Sequence, residues 1–261
     1  MITFGIITNG KQDTLLAKCI KSIQVQKIEE SEILVVGNTA ISFENVQVLP
    51  FDEDIVSSWI TRKKNLIAEF AKNETIVLMH DYFELSGIWS PNELVDLLEG
   101  QWDVGMCKVK NADGSRYTDW CLWPYDHWPL RLFFLSLHDC LLPYTEKLLQ
   151  NLMYASGSFF IVKRDFLRKN PLDESKSWGE GEDVEWSIRL RDKWKYEFFE
   201  SLEVRSQKQK KLVFTEVHSI KLPLLRIYAF IYRALPLAIK RIAKTEIFPE
   251  RIKKIFPLNF S

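Results

Sequence analysis

The sequence predicts an α/β protein built on one mainly parallel sheet. Over the first hundred residues short apolar runs alternate with amphipathic segments, the pattern of successive βαβ units. The chain has 261 residues, 46% of them hydrophobic, enough for one large core. Charged residues reach 27% and the formal net charge is zero. That composition argues against disorder and gives no electrostatic case for a nucleic-acid partner.

Each element has its own signature. Ile2 to Thr8 reads as a buried strand, Asn9-Gly10-Lys11 as a turn, and Thr14 to Gln26 as a helix with Leu15, Leu16, Cys19, Ile20 and Ile23 on one face. Glu32 to Gly37 and Val46 to Leu49 read as strands, Ser57 to Lys72 as the second helix, and Ile76 to Met79 as a strand ending at His80-Asp81. Parallel sheets bind ligands beyond the carboxyl ends of their strands. Thr8-Asn9, Gly37-Asn38 and His80-Asp81 are therefore expected on one rim. Pro91 to Leu98 is expected to be helical, and Asp103 to Val109 and Ser158 to Lys163 to be strands. A helix start is expected at Arg164-Asp165, and a helix from about Asp183 to Lys193. Between 111 and 153 the chain is rich in Trp, Tyr, Phe and Pro. Trp120, Trp123, Tyr125, Trp128, Phe133 and Phe134 read as a second small core rather than as sugar platforms.

Cys19, Cys107, Cys121 and Cys140 form no CxxC pair and are expected as reduced thiols of a cytosolic protein. No signal peptide is expected, since Ile2-Thr3-Phe4-Gly5 opens without a basic leader. No uncharged run reaches the length of a membrane span.

The densest chemistry lies in Trp178-Gly179-Glu180-Gly181-Glu182-Asp183-Val184-Glu185-Trp186. Four carboxylates stand within six residues, where a glycine-broken loop turns into a helix. Crowded carboxylates repel unless cations, ligands or solvent offset the repulsion. A loop entering a helix also offers backbone N–H groups and positive dipole. Glu180 is assigned to that background, and Glu185 with Arg189 to an (i, i+4) pair. Trp178 and Trp186 stay open between core and sugar platform. His80-Asp81 is a second acidic point, and His218 follows the apolar run Leu212-Val213-Phe214. Asp and His suit a divalent metal such as Mn²⁺, which can neutralise a leaving diphosphate. A separate carboxylate can take the proton of an incoming hydroxyl.

From Lys208 the chain is basic, and from Ile220 it changes character. Arg226, Arg233, Lys240 and Lys244 share one helical face, with Leu225, Ile227, Tyr228, Phe230, Ile231, Leu235 and Ile239 around the rest. Pro236 and two internal arginines oppose a spanning helix. A helix lying in a membrane interface and a helix packed on the main domain or on another copy are both open.

Five segments together resemble a family-2-type glycosyltransferase with the GT-A fold, over residues 1–219. They are Ile6-Ile7-Thr8-Asn9, Arg62-Lys63-Lys64-Asn65, the run from Val77 to Tyr82, the run from Ala155 to Arg164, and Glu180 to Trp186. The resemblance implies a single Rossmann-like sheet flanked by helices; the basic helical tail read over 220–261 lies beyond it. It implies an inverting transferase, of hexosyltransferase type, that moves a sugar from a nucleotide-diphosphate donor to a hydroxyl of a glycan or lipid-linked acceptor. Asp183 would be the base, with Glu182 binding the acceptor or orienting the loop. Asp81 and His218 would hold Mn²⁺ or Mg²⁺. Thr8, Asn9, Asn38 and His80 would meet the nucleotide, Arg62 or Lys64 its base or phosphates, and Gly157 the donor sugar. The expected place is the cytoplasmic face of a membrane, with peripheral contact through residues 221–261 and no nucleic acid.

Two departures stand out: His80-Asp81-Tyr82 replaces the usual Asp-x-Asp, and Gly37-Asn38 stands where the family offers aspartates. Two alternatives follow. One is a non-catalytic GT-A-like binding module. The other is a sugar-phosphate nucleotidyltransferase, although Thr8-Asn9-Gly10-Lys11 has only one glycine where those proteins carry a glycine-rich loop.

Overall fold

A computed structural model describes residues 1–55, 58–123, 139–210, 215–217 and 221–234. Strand β1 (Ile2–Ile7) lies between β2 (Glu32–Val36) and β4 (Thr75–His80), parallel to both, and β3 (Val46–Leu49) continues the sheet beside β2. On the other side of β4 come β10 (Phe159–Lys163), β6 (Val104–Lys110), β11 (Tyr196–Ser206) and β5 (Phe83–Ser86). Four of the seven pairings are parallel; β4–β10, β10–β6 and β11–β5 are antiparallel. This is the mainly parallel α/β sheet that the sequence predicts. Strand β1 is buried along its whole length, and β4 up to His80, as expected of strands covered on both faces.

The helices α1 (Asp13–Gln24), α2 (Ile60–Phe70), α3 (Pro91–Glu99), α4 (Arg164–Lys169) and α5 (Glu182–Leu190) accompany the sheet. Helix α1 buries Leu16, Cys19, Ile20 and Ile23, one stripe at helical spacing. Ile7 pairs with both Val36 and His80, so the three strands end flush and their following loops share one rim.

Strands β4 and β5 are separated by two residues, yet β10, β6 and β11 lie between them in the sheet. Four strand spacings of about 4.8 Å would separate them by about 19 Å in a flat sheet. Three residue steps cover about 10 Å, so the sheet must curl. The irregularity that permits this lies in β11, where Phe199 to Glu203 takes four steps against one on β6, from Cys107 to Lys108. Such a bulge bends a strand and strengthens its twist. The far half of β11 thereby reaches β5, and the loop after Ser206 comes to lie beside the β4–β5 link. Gln207 N–H donates to Tyr82 O at 2.7 Å.

A small second sheet contains β7 (Cys121–Leu122), β8 (Asp139–Leu141), β9 (Met153–Tyr154) and β12 (Thr215–Glu216). Trp120 is fully buried and stacks on Tyr196 at 5.3 Å; it is core, as expected, but part of the main core rather than of a second one. Trp123 packs against the small cluster of Cys121, Leu141, Tyr154 and Val184. Tyr125, Trp128, Phe133 and Phe134 lie outside the described residues. Cys19, Cys107 and Cys121 are buried and form no disulfide among the described residues, and the side chain of Cys140 lies outside the description.

Helix α6 (Leu222–Ala234) packs Leu222 and the fully buried Leu225 on the main core. Arg226 Nε donates to the buried Glu146 at 2.7 Å. Leu224, Ile227, Phe230 and Ile231 face outward. Among the described residues no helix is long and apolar enough to cross a membrane. Residues 235–261 lie outside them.

Candidate active site

A cleft of about 740 Å³ opens where β1 and β4 end, the place the topology favours for a ligand. It brings together Asn9, His80, Asp81, Gly157, Glu182 and Asp183, six of the residues singled out in the sequence. The acidic loop and the strand-end motif, about a hundred residues apart in the chain, are two walls of one cavity.

One wall is the acidic loop. Gly181 caps α5 with a left-handed backbone (φ 69°), the conformation glycine adopts without strain. Helix α5 then begins with Glu182 and Asp183. Asp183 Oδ2 accepts from Gly157 N–H at 2.7 Å and Oδ1 from Val184 N–H at 2.8 Å. A carboxylate oxygen can accept more than one bond, so both stay competent toward a ligand. A Cβ on Gly157 would stand 2.9 Å from Asp183 Cβ and 2.9 Å from Glu182 Oε1; glycine is required for the approach of both carboxylates. Glu182 is only 6% exposed. Burial, then the charge of Asp183, push its carboxyl up to about 7, with Lys64 working against them.

Helix α2 supports both walls. Lys63 donates to Thr8 O at 2.8 Å and pairs with Glu53. Asn65 binds the Leu172 backbone through both ends of its amide, tethering the chain that leads into the acidic loop. Lys64 is 1% exposed, its Nζ 3.8 Å from Glu182 Oε1 and without a hydrogen bond. Burial lowers its pKa, while Glu182 and Asp183 act to raise it.

The other wall is His80-Asp81-Tyr82. Asp81 N–H donates to Ile7 O at 3.1 Å, and its Oδ2 accepts from the Thr8 hydroxyl at 2.7 Å. Burial raises the Asp81 pKa, partly offset by the Thr8 bond and by Lys208 and Lys63. Burial holds His80 well below its ordinary value, reinforced by Lys64, Lys208, Lys210 and Lys63. Its imidazole is therefore neutral at physiological pH.

Thr8 sits under the cleft floor rather than lining it, bonded to Asp81. Asn38 accepts from Phe51 N–H at 3.3 Å and does not line the cleft. Arg62 pairs with Glu69 at 2.8 Å and Glu174 at 3.1 Å, also away from the cleft lining. Trp186 is core, and Trp178, half exposed, lines the cleft. Glu180 accepts from Ser177 N–H at 2.7 Å, and Glu185 pairs with Arg189 at 2.8 Å, both consistent with supporting roles. Sequence reasoning missed Gln12, Tyr117, Lys208 and Lys210 as cleft residues. The basic character of the chain from Lys208 onward was the only signal.

His218 lies outside the described residues. Among those residues no group of three or more His, Cys, Asp or Glu side chains could hold a metal. Asp81 is the single carboxylate of this strand end, in a field set by several lysines, and belongs to no group of three donors. The described donors do not fit a divalent metal.

Solved structures carry the same architecture. The chain superposes on GalNAc-T7, crystallised with UDP, GalNAc and Mn²⁺, at a TM-score of 0.56 and 14% identity, over 82% of this chain and 44% of that one. It superposes on S. aureus TarS 1–349 at 0.52 and 12% identity, over 99% of this chain and 75% of that one. For the UDP complex of TarS 1–349 the values are 0.53 and 13%, over 94% and 70%. The fold is that of the GT-A glycosyltransferases. This chain spans under half the length of GalNAc-T7. No protein-family model matches the sequence, and no curated protein matches it either.

Proposed function

We propose that this protein is an inverting glycosyltransferase that moves a sugar from a nucleoside-diphosphate donor to a hydroxyl acceptor, with Asp183 as the base. The observation that carries this reading is the juxtaposition of Asp183, held by two backbone N–H groups, with the His80-Asp81 strand end across one cleft. Asp183 takes the proton of the acceptor hydroxyl, whose oxygen forms the new bond to the anomeric carbon. The old bond to the phosphate oxygen breaks on the opposite face, and its electron pair leaves with the diphosphate. Fixing the carboxylate in advance removes the entropic cost of orienting it. Glu182 contacts the acceptor beside it. Asn9 faces the nucleotide, Gly157 leaves room for the donor sugar, and Trp178 offers its indole to a sugar face. No step of this reaction is routed through a metal.

The GT-A fold of the UDP-bound neighbours supports the donor class. The decisive experiment is Asp183→Asn. We expect transfer to fall by about 10³-fold while UDP binding changes little. Full turnover in that variant would remove Asp183 from the role.

Peripheral attachment to an anionic membrane is part of the same proposal. Leu224, Ile227, Phe230 and Ile231 form an outward apolar stripe on α6, next to the basic positions that continue toward Lys244. A basic helix with an apolar face suits the headgroup boundary. Removal of residues 235–261 combined with Phe230→Asp is expected to release the protein from anionic liposomes; unchanged liposome binding would sink the attachment.

A further inference from the structure

The cleft wall opposite the acidic loop carries more positive charge than its sequence motif suggests. Lys208 and Lys210 both line the cleft. Neither forms an ion pair with a carboxylate among the described residues, within a structure where Lys63 and Lys110 do. Both ammonium groups rest on aromatic faces that also line the cleft. Lys208 Nζ lies 4.5 Å from the Tyr82 ring centre, and Lys210 Nζ 5.1 Å from that of Tyr117. Such contacts seat a cation without neutralising it.

The backbone beneath them is pinned. Lys208 N–H donates to Ser206 Oγ at 3.1 Å, and the same hydroxyl donates to Lys208 O at 2.8 Å. Lys210 N–H donates to Asn111 Oδ1 at 3.0 Å. Gln207 is tied to the Tyr82 and Leu15 carbonyls. The bulge in β11 and the curl of the sheet bring this loop against His80-Asp81-Tyr82. Two lysines on a fixed loop, beside a strand end with one carboxylate, form a site for a compact polyanion.

We propose that Lys208 and Lys210 clamp the donor's diphosphate and take over the charge neutralisation that a divalent metal provides in metal-dependent transferases. This rests on the reading of the cleft as a nucleotide-sugar site. As the bond from the anomeric carbon to the phosphate oxygen breaks, the electron pair moves onto the diphosphate, and the two ammonium groups stabilise the charge that develops. Lys63 and Lys64 are engaged elsewhere, with Thr8 and Glu53 and with Glu182, which leaves the clamp to the loop. Tyr82 and Tyr117 act as positioning residues by seating the cations.

The test is equilibrium binding of UDP, UMP and uridine to the full chain, in EDTA and in Mn²⁺. It compares the wild type with Lys208→Ala, Lys210→Ala, the double variant and the double Arg variant. In EDTA we expect UDP to bind the wild type at least about tenfold more tightly than uridine does, and each Ala substitution to weaken UDP by about tenfold. Uridine affinity should not change, Arg should restore UDP affinity, and Mn²⁺ should alter it by less than about threefold. Normal UDP affinity in the double Ala variant, or UDP binding that appears only with Mn²⁺, would overturn the clamp while leaving the nucleotide site standing. Failure of UDP, UMP and uridine alike to bind would overturn the nucleotide-sugar reading and the clamp with it.

Discussion

The two walls of the cleft solve opposite electrostatic problems. On one side Glu182 and Asp183 lie close together, Asp183 held by backbone N–H groups and Glu182 facing the buried Lys64. On the other a single carboxylate, Asp81, is surrounded by the influence of Lys63, Lys208 and a neutral His80. On the proposed reading, the first wall keeps negative charge where a proton is taken, and the second receives negative charge that arrives with the donor. A displacement reaction that deprotonates an alcohol at one end and expels an anion at the other needs that asymmetry.

The largest expected effect falls on the acidic wall. Asp183→Asn keeps the shape and removes the proposed base, so kcat should drop by about 10³-fold with UDP affinity unchanged. If UDP affinity falls as well, the walls are not separable and the asymmetry is lost as an explanation. Next comes Gly157→Ala. Gly157 does not need a positive φ, so the backbone tolerates alanine and the substitution tests contact alone. The new methyl would stand 2.9 Å from both Asp183 Cβ and Glu182 Oε1, and one or both carboxylates must shift. A misplacement of that kind can cost about 10²-fold in turnover. Steady-state kinetics should show it in kcat, with the UDP Kd within about threefold. Wild-type kcat in Gly157→Ala would mean that the position of the carboxylates is not decisive.

Much of this contrast is legible in the sequence, but unevenly. The acidic loop, the strand-end His80-Asp81 and the flush ends of β1, β2 and β4 follow from local patterns, because each depends on residues adjacent in the chain. Strand β11 does not. Its alternation of buried Tyr196, Phe198, Leu202, Val204 and Ser206 is interrupted at the bulge, where Phe199 is buried and Glu200 exposed, so no unbroken alternation runs through Tyr196 to Ser206. Without β11 the curl is invisible, and with it the placement of Lys208 and Lys210. The Arg62-Lys63-Lys64-Asn65 motif was legible as a motif and misleading in detail. Arg62, the most obvious anion binder of the four, pairs with Glu69 and Glu174 away from the cleft. Lys63, Lys64 and Asn65 turn inward because the buried face of α2 passes through them.

The smallest and most diagnostic effect concerns the Glu182–Lys64 pair and the pH. Burial and Asp183 raise the Glu182 pKa from an ordinary 4.5 to about 7. A raised acid means that the folded state binds the proton more tightly than the unfolded state does. The stability this contributes is full below about pH 4.5 and is lost as the pH climbs through 7. Glu182→Gln mimics the protonated side chain at every pH and removes that loss. The melting temperature of Glu182→Gln minus that of the wild type should therefore widen between pH 4.5 and 7, by roughly 2–8 °C. Differential scanning calorimetry of the two proteins across that window decides the matter. A constant difference would mean that Lys64 offsets the burial of Glu182 completely. A widening difference means that near pH 7 the Glu182 carboxyl exchanges its proton, so its charge beside Lys64 is set by the pH rather than fixed.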